Sequence, residues 1–237
     1  MKSISILSVV AAMTLTVSAF AQTADEVIDK HYEAIGGKDN WRKVSSMKME
    51  ATVSTQGMDI PITIYQVHNK AMKQEINVMN MMGYVIMTTE GGWNFLPFMG
   101  QTAPEPMTAD DLEVGKESLD IQGELLDYKA KGHSVELLGK EDVDGTECYK
   151  LKLTRKSGRG ITFLIDTKTN YVVRTIIKVK ANGQEVDQTQ NFSNYQKQAF
   201  GVVLPLSLEN SALPAPLVVG KVEVNPTIAS SVFEVKK

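Results

Sequence analysis

The sequence predicts a mainly β protein: a strongly curved antiparallel sheet of about twelve strands that curls into a sandwich or barrel, preceded by a helix. Three observations predict it. The first is a meander from Glu147 to Val179, in which Tyr149, Leu151 and Leu153 alternate with Lys150, Lys152 and Thr154. A turn at Lys156-Ser157-Gly158 leads into Ile161, Phe163 and Ile165, and Asp166 to Asn170 lead into Tyr171, Val173, Thr175, Ile177 and Val179. Alternation bounded by Gly, Asn and Asp turns marks strands with one apolar and one solvated face. The second observation is that similar runs recur on both sides of this meander. The third is length: most of a 237-residue chain can form one all-β domain with a sizeable core.

The chain opens with Lys2, an uncharged run from Ser3 to Phe20, and Ala19-Phe20-Ala21. This is the pattern of a secretory signal peptide over residues 1–21, leaving 22–237 as one exported domain. Thr23-Ala-Asp-Glu26 forms a capping box that starts a helix carrying Val27, Ile28, Tyr32 and Ile35, ended by Gly36-Gly37. A short helical turn from Lys38 to Val44 follows, anchored by Trp41.

Strands then come in quick succession. Met47, Met49, Ala51 and Val53 alternate with polar residues, and Gln56-Gly57 turns the chain into Met58, Ile60, Ile62 and Ile64. Pro61 cannot donate to a ladder, so this second strand is expected to have an edge position or a bulge. Met72 to Val78, Gly83 to Met87 and Trp93 to Phe98 complete the first group. Residues 100–132 break the pattern with a Pro-containing loop, a helix cap at Thr108, and Leu119, Ile121, Leu125, Leu126 and Tyr128 at irregular spacing. A long non-strand insertion in a sheet protein reads as a lid or binding loop. Ser134 to Gly139 precedes the meander, Asn182-Gly183 makes a hairpin into Glu185–Tyr195, and Val202–Leu208 and Leu217–Val224 follow.

Catalytic and metal signatures do not emerge. His31, His68 and His133 fall in no zinc-ligand spacing, and there is no H-E-x-x-H, G-x-S-x-G or phosphate-cradling glycine loop. Asp142-Val-Asp144-Gly145 reads as a turn rather than a calcium loop. Cys148, the only cysteine, lies beside an apolar strand position and reads as a structural thiol; a catalytic one would need a cationic setting. With a formal net charge of −3 and interspersed charges, nucleic acid is not an expected partner. The expectation is a non-enzymatic protein without cofactor or metal.

Ten of the twelve methionines lie between Met47 and Met107. Methionine fills ordinary cores, and it also makes soft walls for ligands of variable shape. The candidate wall comprises Met47 and Met49; Met58, Ile60 and Ile62; Met72 and Ile76; Met87; and Trp93, Phe95, Leu96 and Phe98.

With these residues in hand, the chain resembles the LolA-like outer-membrane lipoprotein-sorting proteins. The resemblance rests on Val27 to Lys38 with its Gly-Gly end, on Gly123 to Tyr128, and on the Gly145–Arg174 meander with Phe163-Leu-Ile-Asp-Thr-Lys-Thr169. Asn194-Tyr195, Gly201 to Pro205 and Val222 to Pro226 add to it. It implies an incomplete β-barrel with helices over its mouth, acting as a monomeric periplasmic carrier of lipoprotein acyl chains or other lipidic cargo. Inner- and outer-membrane transfer proteins are the implied partners. A gating arginine is also implied, with Arg42, Arg155, Arg159 and Arg174 as candidates. Arg174, isolated among Val172, Val173, Ile176 and Ile177, is the foremost, with an ordinary outward strand position as the competing reading. The same fold used as a structural or sensory module, engaging an envelope protein or a small apolar ligand, is the alternative function.

Overall fold

A helical cover is built first. Thr23 Oγ1 accepts the Glu26 N–H at 3.2 Å while Glu26 Oε2 accepts the Thr23 N–H at 2.9 Å, closing the capping box of α1 (Ala24–Ala34). The computed structural model describes residues 22–181, 184–211 and 213–235. The expected export segment and the Asn182-Gly183 turn lie outside the described residues. Gly36 and Gly37, both with positive φ, turn the chain into α2 (Lys38–Arg42). Trp41 of α2 is buried and donates its indole N–H to the Ile35 carbonyl at 2.9 Å.

Six strands follow: β1 (Ser46–Thr55), β2 (Met58–Val67), β3 (Ala71–Val78), β4 (Met81–Thr88), β5 (Gly92–Phe95) and β6 (Glu105–Pro106). The insertion holds α3 (Ala109–Glu117), with Thr108 Oγ1 accepting the Asp111 N–H as the expected cap. Seven more strands complete the chain: β7 (Ser134–Val143), β8 (Thr146–Thr154), β9 (Gly160–Asp166), β10 (Val172–Ala181), β11 (Gln184–Lys197), β12 (Val203–Asn210) and β13 (Leu217–Val224).

Among the described residues these thirteen strands form one sheet in the order β6-β5-β4-β3-β2-β1-β13-β12-β11-β10-β9-β8-β7. Every neighbouring pair is antiparallel. The first and last strands meet in the middle, Met47 opposite Val224, and the edge strands β6 and β7 do not pair with one another. The sheet is therefore a curved half-barrel rather than a closed barrel, and the segment 107–133 ties its two edges together.

The strand count exceeds the sequence reading through β6, two residues in a stretch read as loop. Strand β7 runs past Gly139 to Val143, because a bulge between Leu137 and Lys140 absorbs the break in alternation. Pro61 sits in an interior strand, but the β2–β3 ladder begins only at Ile62 opposite Ile76. Pro61 thus lies where β2 has a partner on the β1 side alone, locally an edge. A second irregularity, between Val172 and Arg174, breaks the regular alternation expected of β10. Val172 turns to the core beneath α1, while Val173 packs outside with Cys148 and Leu164.

Candidate functional site: the concave face and its lid

Directly opposed residues of an antiparallel pair share a face, and alternate residues along a strand share it too. The register therefore fixes which side chains line the concave side. Met49 stands opposite Ile64 on one side and Val222 on the other; Ala51 faces Ile62 and Val219; Val53 faces Ile60 and Leu217. Ile62 is opposite Ile76, and the row passes on to Met72 opposite Met87. Eight of the twelve sequence-predicted wall residues, Met47, Met49, Met58, Ile60, Ile62, Met72, Ile76 and Met87, fall on this face.

The remaining four divide. Leu96 and Phe98 lean over the same side of β4: a Cβ built on Gly83 would meet Phe98 Cε1 at 2.7 Å and Leu96 Cδ2 at 3.3 Å. Trp93 and Phe95 are opposite Ile86 and Tyr84, one residue out of phase with Met87, and so belong to the outer face. The Phe95 ring stacks obliquely on Tyr84, centroids 5.7 Å apart. The 3-10 turn Ser230–Phe233 packs against β3 and β4. It accounts for the burial of Ile86 and Lys73 on that outer face, where Lys73 pairs with Glu75 at 2.8 Å. The alternation of Trp93-Asn94-Phe95 puts both aromatics on one face but carries no signal for which face is concave; only the pairing with β4 settles it.

The concave face is not uniformly filled. One end is packed by the helices: Val27, Ile28, Tyr32 and Trp41 join Met47, Leu125, Leu126, Leu151 and Leu153 in the main core. Beside it Met72, Met87 and Leu119 pack with Met107 and Leu112 of the insertion, and α3 lies so close that a Cβ at Gly115 would meet Met87 Cε at 2.0 Å. The other end is strand-lined. Val53, Ile62 and Ile64 pack with Ile60, Ile76 and Leu217 and with Ala215 of the loop before β13. Met49 touches this cluster, the main core and the Ala51–Leu206–Val219 cluster alike, and Met49, Ile60, Ile76, Leu208 and Phe192 remain partly exposed. The result is an apolar trough with Met49 at its centre.

The insertion roofs the trough's helical end and is pinned by charge. Arg155, 8% exposed, reaches Glu124 at 2.6 Å and Glu117 at 3.1 Å. Arg159 bonds Glu117 at 2.7 Å and the Glu113 carbonyl at 2.8 Å. Arg42 of α2 takes Asp127 through Nε at 2.9 Å and Nη2 at 2.8 Å, and this guanidinium holds the Asp127 carboxyl below its usual pKa range. Tyr32 donates to the Gln122 carbonyl at 3.0 Å, and Lys131 pairs with Asp120 at 2.5 Å. The seam between lid and β8–β9 turn is a charged cleft of ≈ 380 Å³.

Arg174 occupies a different place. Its Nε donates to Asn191 at 2.6 Å and its Nη2 pairs with Asp144 at 2.8 Å, on the outer face of β10. Arg155 and Arg159 are the arginines that touch the insertion from the sheet. Their position in a turn, next to Gly158, gave no indication of an acidic partner across the opening. The other isolated candidate, Cys148, is buried under Val143 and Leu164, and burial pushes its thiol up to about 11. Among the described residues no group of three His, Cys, Asp or Glu side chains converges in a way that could hold a metal ion.

No family profile matches the sequence, and no curated protein sequence matches it. Solved structures do. A LolA superfamily protein from Nitrosomonas europaea superposes with a TM-score of 0.58 at 13% identity, covering 90% of this chain and 98% of the other. A DUF1329 family protein from Desulfovibrio piger gives 0.56 at 15% identity, with the same coverage of 90% and 98%. At these identities the likeness is one of fold: the chain is built as a LolA-type half-barrel.

Proposed function

We propose that this LolA-type half-barrel is a carrier that shelters the acyl chains of lipoproteins or other lipidic cargo in its concave trough and passes them toward the outer membrane. The observation that carries the reading is the partly exposed apolar floor centred on Met49, beside a lid tied down by ion pairs. A finished core would bury such residues fully. Here the strand-lined end leaves them accessible, and its wall consists largely of methionine and branched aliphatic side chains that repack around cargo of different shapes.

The energetics match the task. At ~0.8 kcal/mol per buried CH₂, a sixteen-carbon chain is worth about 13 kcal/mol of transfer free energy, so a carrier must cover most of it and still let go. Arginine–carboxylate pairs fasten the lid's outer seam, while Met107, Leu112 and Leu119 pack on Met72 and Met87 beneath it, so opening trades those apolar contacts for contacts with cargo. Export and a periplasmic site of action belong to this reading, supported by the pattern of residues 1–21.

The test is native mass spectrometry of protein purified from its own envelope, with uptake of a fluorescent fatty acid measured alongside. A bound species with the mass of a lipid or acylated peptide is expected, lost in Met49→Asp while the fold is retained. A protein that emerges empty and takes up no probe would point instead to a module that binds another protein.

A further inference from the structure

The strand-lined end of the trough finishes in an unusual rim. In an antiparallel meander alternate turns lie at the same end, so the β1–β2 turn, the β3–β4 turn, the exit of β5 and the loop before β13 are neighbours there. Their tips are apolar and open to solvent: Met58 is 37% exposed, Met79 70%, Met81 40%, Met82 51%, Met99 74% and Leu213 41%. Met79 and Asn80 both have positive φ, which turns the chain tightly at the tip of the β3–β4 hairpin.

Charge is missing from the same places. Residues 54–58, 78–82, 96–100 and 210–217, the tips themselves, contain no Asp, Glu, Lys, Arg or His, although 22% of the whole chain is charged; Asp59, bonded to Ser54, and Glu209, beside Leu213, stand at the margin. The four segments are separated in sequence and brought together only by the sheet. Monomeric proteins seldom expose contiguous apolar surface of this kind without a partner for it. Methionine occurs in protein interfaces too, but their anchors are mostly Trp, Tyr and Arg, and the exposed large side chains of these tips are methionine and leucine alone.

We infer that this rim seats in the interfacial region of a lipid bilayer, by apolar insertion rather than by attraction to anionic headgroups. The inference rests on the carrier reading in one respect: the floor formed by Val53, Ile60, Ile62 and Leu217 runs out to these same turns. An acyl chain entering there passes between hydrocarbon and trough without crossing water. Because the contact has no charge, it is insensitive to salt, unlike a polybasic membrane contact.

The experiment is flotation of the purified protein with phosphatidylcholine vesicles, at low and at high salt, and with vesicles containing phosphatidylglycerol. Wild type is expected to float with the neutral vesicles at both salt concentrations. Changing Met79, Met82 and Met99 together to Asp is expected to lower partitioning by about tenfold or more, while changing them to Leu leaves it within about twofold. Melting temperature and vesicle-free uptake of the fluorescent fatty acid are followed in every variant, so that loss of docking is separated from loss of fold or of cargo binding. Wild type that stays in solution with neutral vesicles, or floats only with anionic ones at low salt, overturns the inference. So does an Asp variant that floats as wild type, or a Leu variant that does not. Failure of acyl uptake in wild type would remove the carrier reading and leave the flotation result standing on its own.

Discussion

Arg155 holds Glu124 through two N–H···O bonds, Nε to Oε2 at 2.6 Å and Nη2 to Oε1 at 2.8 Å. The pair joins the β8–β9 turn to the lid across the open side of the half-barrel, and the same guanidinium reaches Glu117 at the end of α3. The arginine side chain is 8% exposed, with Glu124 at 17% and Glu117 at 20%. Glu124 thus depends on Arg155, while Glu117 is shared between Arg155 and Arg159.

Arg155→Ala leaves Glu117 and Glu124 without that counter-charge in a partly buried setting. A loss of about 3 kcal/mol is expected in chemical denaturation. Hydrogen exchange should rise first in residues 109–133, since the lid loses its strongest tie while the sheet keeps its ladders. Uniform acceleration across the sheet would instead make Arg155 a general structural residue.

His31 supplies a pH dependence with a definite sign. It is buried in α1, its Nδ1 2.8 Å from the Asn170 carbonyl, and burial lowers its pKa from 6.5 to about 4, with that carbonyl opposing the shift. Above pH 6.5 the ring is neutral in both folded and unfolded chains and contributes no slope. Between these two values the unfolded chain takes up a proton that the folded one refuses, so stability falls as pH falls. The loss reaches up to about 3 kcal/mol by the lower limit. His31→Gln keeps an N–H donor and removes the titration; denaturation midpoints measured from pH 7 to pH 4 should then fall less steeply than in wild type.

Gly36 is a packing requirement as well as a helix terminator. Its φ is +107°, and a Cβ there would stand 2.1 Å from the Gly201 carbonyl oxygen and 2.9 Å from Val202 Cα. Gly36→Ala should cost about 3 kcal/mol, seen as a lowered melting temperature. Gly37→Ala has open space around it but φ +91° and ψ 142°, a region that favours glycine, and should cost about 2 kcal/mol. Equal losses in the two variants would mean that backbone strain, not the contact with the β11–β12 turn, is what matters.

Cys148 is expected to resist a thiol reagent at pH 8, because it is fully buried and its pKa is about 11. Labelling should track unfolding as denaturant is added. Rapid labelling of the native protein would show that the outer Val143–Leu164 cluster opens independently of the sheet.

Several elements were legible in the residues alone. The Thr23–Glu26 box, the Thr108 cap, the meander from Glu147 and the Asp142–Gly145 turn depend on neighbours a few positions away, and each has the form its local chemistry dictates. The concave row Met49, Ala51 and Val53 against Ile60, Ile62 and Ile64 was also readable, since a two-residue turn fixes the register of that hairpin. Trp93 and Phe95 were not. Their short strand, Gly92–Phe95, does alternate, but it sets Asn94 on the concave side opposite Val85 and both aromatics on the outer face, opposite Ile86 and Tyr84. Val173 escaped for a related reason: a bulge shifts the phase of β10, and nothing in an all-apolar Val-Val pair announces it.

The sequence by itself determined the mainly β class, the strand succession, the helix caps and the apolar character of the wall, because these follow from contacts within a hairpin or a helical turn. Only the tertiary structure decided that β1 closes against β13, that Arg155 and Arg159 rather than Arg174 meet the lid, and that four uncharged turns share one rim. Each of those is a meeting of residues far apart in the chain. Such meetings are set by the order and curvature of the whole sheet, which no local pattern encodes.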